Sequence, residues 1–366
     1  MSSIKVTNLQ NASAANPAFV LAADGSATAN LSSVNGGPIA GSRNRIINGD
    51  MRIDQRNAGA SVTVNTTANT FTLDRWAGVG QLTDGVFTVQ QSTSTPPTGF
   101  THFLRVTTTT ADASIGASQF YVLRHAIEGN NVSDLGFGTA NAKQIALSFW
   151  VRSSLTGTFG GSLANDAITR SYVFSFSIGA ANTWEYKTIT LTGDTSGTWE
   201  TGTSSGIKMF LSLGTGLTVS GTAGSWGSTV YYGVTSGVNV IGTLNATFDI
   251  TGVQLEPGSV ATPFERRSYG AELVLAQRYY YKDTDGTIHI WSGKVDNAVT
   301  YHANTRFPVT MRAAPTVTLL SGGESLFTTA RTVQAQSIDA VRWTATTGGT
   351  AGNGYFQTQV FATAEL

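Results

Sequence analysis

Apolar and polar residues alternate with a period of two through the middle of this chain, the spacing of strands that lay one face on a core. Ile145, Leu147, Phe149 and Val151 alternate across 144–154. Tyr172, Phe174, Phe176 and Ile178 do so across 170–179, and Ile207, Met209, Leu211 and Leu213 across 206–214. TWEYKTITLTG (183–193) reads as a further strand, and each run ends in a cluster of turn residues. Upstream, RIINGDMRIDQRNAG predicts a strand, an Asn48-Gly49 turn and a second strand, while FTLDRWAG offers Trp76 as a core anchor. DGVFTVQQS (84–92) and FLRVTTTT (103–110) are strand-like. SQFYVLRHAIEG (118–129) is apolar on both faces, with Phe120 and Val122 on one and Tyr121, Leu123 and Ile127 on the other, as an interior strand requires.

The alternation breaks once in an informative place. Phe248 and Ile250 share one parity, Val253 and Leu255 the other, so a β-bulge is expected at Thr251-Gly252. Pro257 and Pro263 then end the strand. SYGAELVLAQRYY (268–280) changes to helical spacing, with Ser268 as N-cap and Leu273, Ala276 and Tyr280 on one face. This segment predicts a rigid connector that fixes the angle between the domains on either side of it. Residues 281–366 return to strands, with an Asp285-Gly286 hairpin and a closing hairpin from 341–347 and 355–364. The fold class expected is all-β: an extended arm (1–43), a jelly-roll sandwich (44–266), a helical connector (267–281) and a small C-terminal β-sandwich (282–366).

The arm differs from the rest. IKVTN (4–8) and AFVLA (18–22) are short strand-like pieces, Asp24-Gly25 is a turn signal, and LSSVNGGPIAGS (31–42) is loop-like. The segment cannot bury a core by itself, yet extended it reaches roughly 140 Å at ~3.3 Å per residue. It suits an attachment arm that orders on a partner, with a disordered tail as the competing reading.

Composition narrows the function. Charged residues make up 12% of the chain against 40% hydrophobic, so Thr, Ser, Asn and 41 glycines must solvate much of the surface. The formal net charge is 0, and no basic stripe offers itself to a phosphate backbone, which argues against nucleic acid. There is no cysteine, and no run approaches the length of a membrane span. MSSIKVTNLQ lacks the basic start and apolar core of a signal peptide.

Catalytic patterns fail on inspection. Gly202-Thr203-Ser204-Ser205-Gly206 spells G-x-S-x-G, but a strand-like run follows where a nucleophile elbow needs a helix. Asp283-Thr284-Asp285-Gly286 begins like a calcium loop, and Lys294 then stands where the bidentate Glu belongs. His102, His125, His289 and His302 form no ligand pair by spacing. Asp54, Asp74, Glu128, Asp166, Glu185, Glu200 and Asp249 show no paired-acid pattern. The expectation is a non-enzyme. Loop aromatics are the better clue: Trp199, Trp226, Tyr231 and Tyr232 sit among hydroxyl and glycine residues, and flat rings beside polar groups can stack on sugars. Packing onto the sandwich is the competing reading for the same four.

NRIINGDMRIDQR (44–56), LDRW (73–76), YVLRHAIEGNNVSDLGFG (121–138), LSFWVRSSLTGTF (147–159), TWEYKTITLTGDTSGTW (183–199) and ITGVQLEPGSVATPFERRSYGAELVLAQRYY (250–280) resemble a family of bacteriophage tail-fibre and virion-surface structural proteins. RFPVTMRAAPTVT resembles phage fibre C-terminal regions. The resemblance implies a virion component assembled in the host cytoplasm. It implies attachment to other virion proteins through residues 1–43, self-association as a homotrimer, and contact with a host surface polysaccharide. The alternative is a head fibre or capsid-decoration protein whose jelly roll is purely structural. The body is also similar to the carbohydrate-binding jelly rolls of glycoside hydrolases, with IINGDM matching one end of the module and FDITGVQLE the other. Such modules often hold a structural Ca²⁺ between these ends, where this chain has Asp50, Asp249 and Glu256, and Thr251-Gly252 in place of an acidic pair.

Overall fold

The computed structural model describes the backbone of residues 8–9, 19–21 and 27–29, and residues 43–80, 84–283, 289–328 and 331–366. Among the described residues it is all-β apart from one α-helix and short 3-10 turns. Two antiparallel sheets form the central jelly roll. One has six strands, in the order Glu185–Leu191, Ile145–Ser153, Thr247–Pro257, Phe103–Thr110, Val86–Ser92 and Val62–Val64. The other has seven: Trp226–Gly227, Ser171–Ile178, Gly157–Ala164, Ser205–Thr215, Phe120–Glu128, Trp76–Gly80 and Thr70–Leu73.

The period-two runs explain the layering. Ile145, Leu147, Phe149 and Val151 turn inward from one sheet, and Phe174, Phe176, Met209 and Leu211 meet them from the other. Phe120–Glu128 lies between two neighbours, which is why both of its faces are apolar. Gly157–Ala164 escaped the sequence reading because Gly160 and Gly161 break its alternation. These glycines let backbones approach: a Cβ on Gly161 would lie 2.1 Å from the Phe210 carbonyl oxygen.

Residues 44–51 correct the sequence reading. The Asn48-Gly49 turn is present, with Met51 N donating to Asn48 O at 3.2 Å, but no strand flanks it before Val62. The extended stretch runs along Thr247–Pro257 instead. Arg45 N donates to Leu255 O at 2.8 Å, Leu255 N to Asn44 Oδ1 at 3.1 Å, and Val253 N to Gly49 O at 2.9 Å. The expected bulge is where the parity slips. Ser148 pairs with Gln254 and Trp150 with Thr251, so Gly252 and Val253 together oppose Phe149. Gly252 takes φ +63°.

The helix spans Tyr269–Gln277, with Ser268 Oγ accepting from Ala271 N as its cap. Its buried face is Glu272, Ala276 and, just beyond, Tyr279, rather than the expected Leu273–Ala276–Tyr280. Tyr280 already belongs to the strand Tyr280–Lys282, and Glu272 is drawn inward by Asn48 N and Arg267. Beyond the helix two further sheets enclose a second core of Val295, Phe307, Met311, Trp343, Phe356 and Val360. Its central strand, Gly352–Thr363, pairs with Tyr280–Lys282, His289–Val295 and Thr316–Ser325.

A third cluster, Ile47, Ile53, Ala276 and Tyr279, joins the two cores, and charged groups surround it. Glu128 accepts from Arg278 Nε (2.9 Å), Arg278 Nη2 (2.6 Å) and Tyr279 Oη (2.7 Å). Glu365 pairs with Arg56 at 2.8 Å and with Arg75. Of the arm, the three short strands form an antiparallel sheet. The Asp24-Gly25 and Asp285-Gly286 turns and the loop at 31–42 lie outside the described residues.

Candidate functional site

The outward face of the six-stranded sheet holds an open aromatic cleft. By the strand register, Tyr186, Trp150 and Thr251 lie in one row across three strands, and Arg152, Asp249 and Arg105 in the next. The residues that alternate out of phase with Ile145 and Val151 therefore build this face. Two loops wall it. Residues 93–102 bring Phe100 over the bulge, and residues 258–267 bring Phe264 and Arg266. The cleft has a volume of about 450 Å³ and is lined by Phe100, Trp150, Tyr186, Gly252, Phe264 and Arg266, among others.

Its geometry is held from beneath. Asp249 is buried and accepts from Arg105 Nε and Nη2, both at 2.8 Å, and from Arg152 Nε at 2.9 Å. The bond to Asp249 raises Arg105 above its ordinary value. Arg152 lies 4.6 Å from the Trp184 ring centre, and Trp184 Nε1 donates to Thr95 O at 2.9 Å, which ties down the first loop. Thr251 Oγ1 donates to His102 O at 2.8 Å, anchoring its other end. Arg266 covers Phe100 at 4.7 Å and donates to Gly99 O at 2.5 Å, tying the second loop to the first.

Trp150 and Tyr186 are the two groups left available. Their rings sit 5.4 Å apart with a 44° tilt, and Tyr186 is 42% exposed. Trp76, Trp184, Trp199 and Trp226 each spend the indole N–H on a backbone carbonyl. Among the described residues Trp150 donates to none, and neither does the Tyr186 hydroxyl. A half-buried aromatic with its polar tip unsatisfied in a solvent-open cleft can take a flat apolar face and a hydroxyl acceptor together.

The four sequence-predicted aromatics separate. Trp199 and Trp226 meet edge to face at 5.2 Å, each also against Phe137, and Trp226 packs on Tyr172. Their N–H groups go to Ser196 O and Thr192 O, and the recess beside Trp199 is about 20 Å³. Tyr232 stacks on Phe120 at 4.0 Å on the outer face of the seven-stranded sheet, and the Tyr231 ring lies against Gly221. Trp150 and Tyr186 went unnoticed in the sequence. Their signal was present: each carries a large ring at the parity opposite to its strand's apolar series.

Six of the seven candidate acids are engaged, Glu128 and Asp249 as described above. Asp54 accepts from Asn57 N and Gly59 N, Asp74 from Gln55, Asp166 pairs with Lys208, and Glu185 with Lys187. Of the acids in the calcium expectation, Asp50 pairs with Arg52 and Asp249 with its two arginines, while Glu256 accepts from Gln254 Nε2, Thr262 N and Thr262 Oγ1. All three thus face protein donors. Among the described residues no group of three or more His, Cys, Asp or Glu could hold a metal ion. Gly202–Gly206 leads straight into the Ser205–Thr215 strand, not a helix.

No family model matches the chain, and no curated protein matches it. Several solved structures follow a similar course over part of the chain. A putative sugar binding protein from Bacteroides thetaiotaomicron is 11% identical over 58% of this chain and 99% of its own, with a TM-score of 0.34. A family 11 carbohydrate-binding module from Clostridium thermocellum, in complex with a β-1,3-1,4-mixed-linked tetrasaccharide, is 10% identical over 55% and 98%, with a TM-score of 0.28. A family 61 module, TmCBM61 in complex with β-1,4-galactotriose, is 10% identical over 59% and 99%, with a TM-score of 0.29. None of these likenesses transfers a ligand or a site residue to this chain.

Proposed function

We propose that this chain is a non-catalytic glycan-binding protein whose contact surface is the aromatic cleft on the six-stranded sheet. The observation that carries the reading is the free pair Trp150 and Tyr186, a tryptophan–tyrosine platform whose polar tips are unspent among the described residues. A pyranose ring laid on the Trp150 indole would place C–H groups against the ring and hydroxyls toward the indole N–H, the Tyr186 hydroxyl and the exposed Thr188. The wall of Phe100 and Phe264 sets the width of the chain admitted.

The test is binding to a panel of soluble polysaccharides and to host cells. Trp150→Ala and Tyr186→Ala should each weaken binding about tenfold, or ~1.4 kcal/mol, with an unchanged melting temperature. Trp199→Ala and Trp226→Ala should lower stability and spare binding. The reverse pattern would move the site to Trp199 and Trp226, and wild-type binding by Trp150→Ala would sink the cleft.

The resemblance of residues 44–281 to phage virion proteins supports a further reading, in which the glycan is a host surface polysaccharide and the chain is a tail-fibre or spike component held by its arm. Self-association would have a natural seat on the helix, whose outer face exposes Tyr269 and Val274. Antibody labelling of intact particles discriminates tail from head. Label on capsids would favour the decoration alternative.

A further inference from the structure

The C-terminal sandwich carries a second surface that the aromatic cleft does not explain. In the sheet of Thr300–Arg306, Ala340–Thr346 and Thr332–Gln336, Trp343, Val341 and Ala345 face the core, and the alternate residues face out. Asn304 pairs with Arg342 and Arg306 with Ala340, so Arg306 and Arg342 are diagonal neighbours on one outer face. That geometry sets like charges within reach of each other, which is destabilising unless something offsets it.

Almost every other arginine of the body is committed. Arg45, Arg52, Arg56, Arg75, Arg105, Arg152, Arg170, Arg267 and Arg278 are in ion pairs, and Arg266 and Arg312 are bonded to carbonyls. Among the described residues, Arg306 and Arg342 have neither an acid nor a carbonyl partner, and both are exposed. Beside Arg306 lies a cleft of about 520 Å³, lined by Asn304, Pro308, Thr310, Asp339 and the Phe307 and Val309 segment. The one acid lining it, Asp339, accepts from Thr310 Oγ1 at 2.7 Å. The exposed His302 and Asn304 continue the same face along the strand.

We propose that this face and its cleft form a second binding site, for the carboxylate or phosphate groups of an acidic polysaccharide. Two unpaired guanidinium groups offer forked donors that match such oxyanions, Asn304 adds a neutral donor, and the apolar cleft floor accommodates a sugar ring next to the anion. A neutral glycan would offer the two arginines only uncharged acceptors, which bind about half as strongly. The proposal stands on residues remote from Trp150 and does not depend on the function assigned to the jelly roll.

The test is affinity electrophoresis and calorimetry of the full chain with polygalacturonate, a poly(glycerol phosphate) and neutral galactan, with duplex DNA as a control. Expected are tighter binding to at least one acidic polymer than to galactan and weakening at raised salt. Arg306→Ala with Arg342→Ala should lose that preference at least tenfold at unchanged melting temperature, while Trp150→Ala keeps it. Asp339→Asn, which retains an acceptor for Thr310, should bind the acidic polymer several-fold more tightly. Which polymer binds separates a carboxylate from a phosphate ligand. The proposal falls if the double variant binds as wild type, if neither acidic polymer exceeds galactan, or if DNA binds as tightly as the acidic polymer.

Discussion

Asp74 and His125 lie in the same buried region, and their titrations oppose each other. Burial pushes the Asp74 carboxyl up to about 7, against Arg56 and the two bonds from Gln55. Folding therefore favours its protonated form, and its contribution is full below the ordinary 3.8 and lost as pH rises toward about 7. Burial, followed by the charge of Arg75, holds His125 well below 6.5. The unfolded chain protonates it first, so its contribution is present above 6.5 and lost as pH falls. Below pH 6.5 the two slopes oppose each other in the wild type. Asp74→Asn should remove the falling slope and leave the rising one of His125, with that of His102, which burial also lowers, so that urea midpoints rise with pH up to 6.5 and then level off. A tenfold change in proton affinity between the folded and unfolded chain is worth roughly 1.4 kcal/mol, so a flat profile in the variant would refute the pairing. Neither group was legible as perturbed in the sequence. Asp74 reads there as one acid among several, because the groups that enclose it, Gln55 and Tyr280 among them, come from other parts of the chain.

At the scale of elements, the bulge does two jobs through two glycines. Gly252 holds φ +63°, and a Cβ there would meet Phe100 Cζ at 2.6 Å. A Cβ on Gly49 would lie 2.2 Å from the Val253 carbonyl oxygen, which cannot swing away. Gly49→Ala should thus cost more stability, on the order of 1–3 kcal/mol, than Gly252→Ala at about 1 kcal/mol. Gly252→Ala should nonetheless be the variant that loses glycan, because it displaces Phe100 from the cleft wall. Equal melting temperatures for the two would count against this account. The bulge was readable because a parity slip is a local signal, as were the sandwich strands and the helix cap. The stretch from Arg45 to the Asn48-Gly49 turn was misread as a strand because the partners along it, Leu255 and Val253, lie more than 200 residues away and the bonds to them are few. The cleft was missed for a related reason: its floor is two strand residues, but its walls come from loops whose position no pattern encodes.

At the scale of the whole molecule, the two cores are stitched by charge. Glu128 is 1% exposed and serves Arg278, Tyr279 and Asn130. Removing it leaves the buried Tyr279 hydroxyl and the partly exposed Arg278 guanidinium without their shared acceptor, at a cost of ~1–3 kcal/mol. Calorimetry should show one unfolding transition for wild type and two for Glu128→Ala, the jelly roll and the C-terminal sandwich melting apart. Two transitions already in wild type would mean that the connector does not couple them. The expectation of a fixed angle stands or falls with that measurement.

The pairing of Arg75 with Glu365 also orders events in time. Arg75 is 1% exposed, and its carboxylate partner is made 290 residues later. On the ribosome the jelly roll can close once Thr247–Pro257 has been synthesised, but Arg75 then lacks both the Tyr279 ring that covers it and the Glu365 carboxylate that pairs with it. The nascent body stays half-competent until residue 365 has been made. Translation of residues 258–365 is thus a window in which this surface is exposed to chaperones or to self-association, and slowing translation there should raise aggregation of the newly made chain.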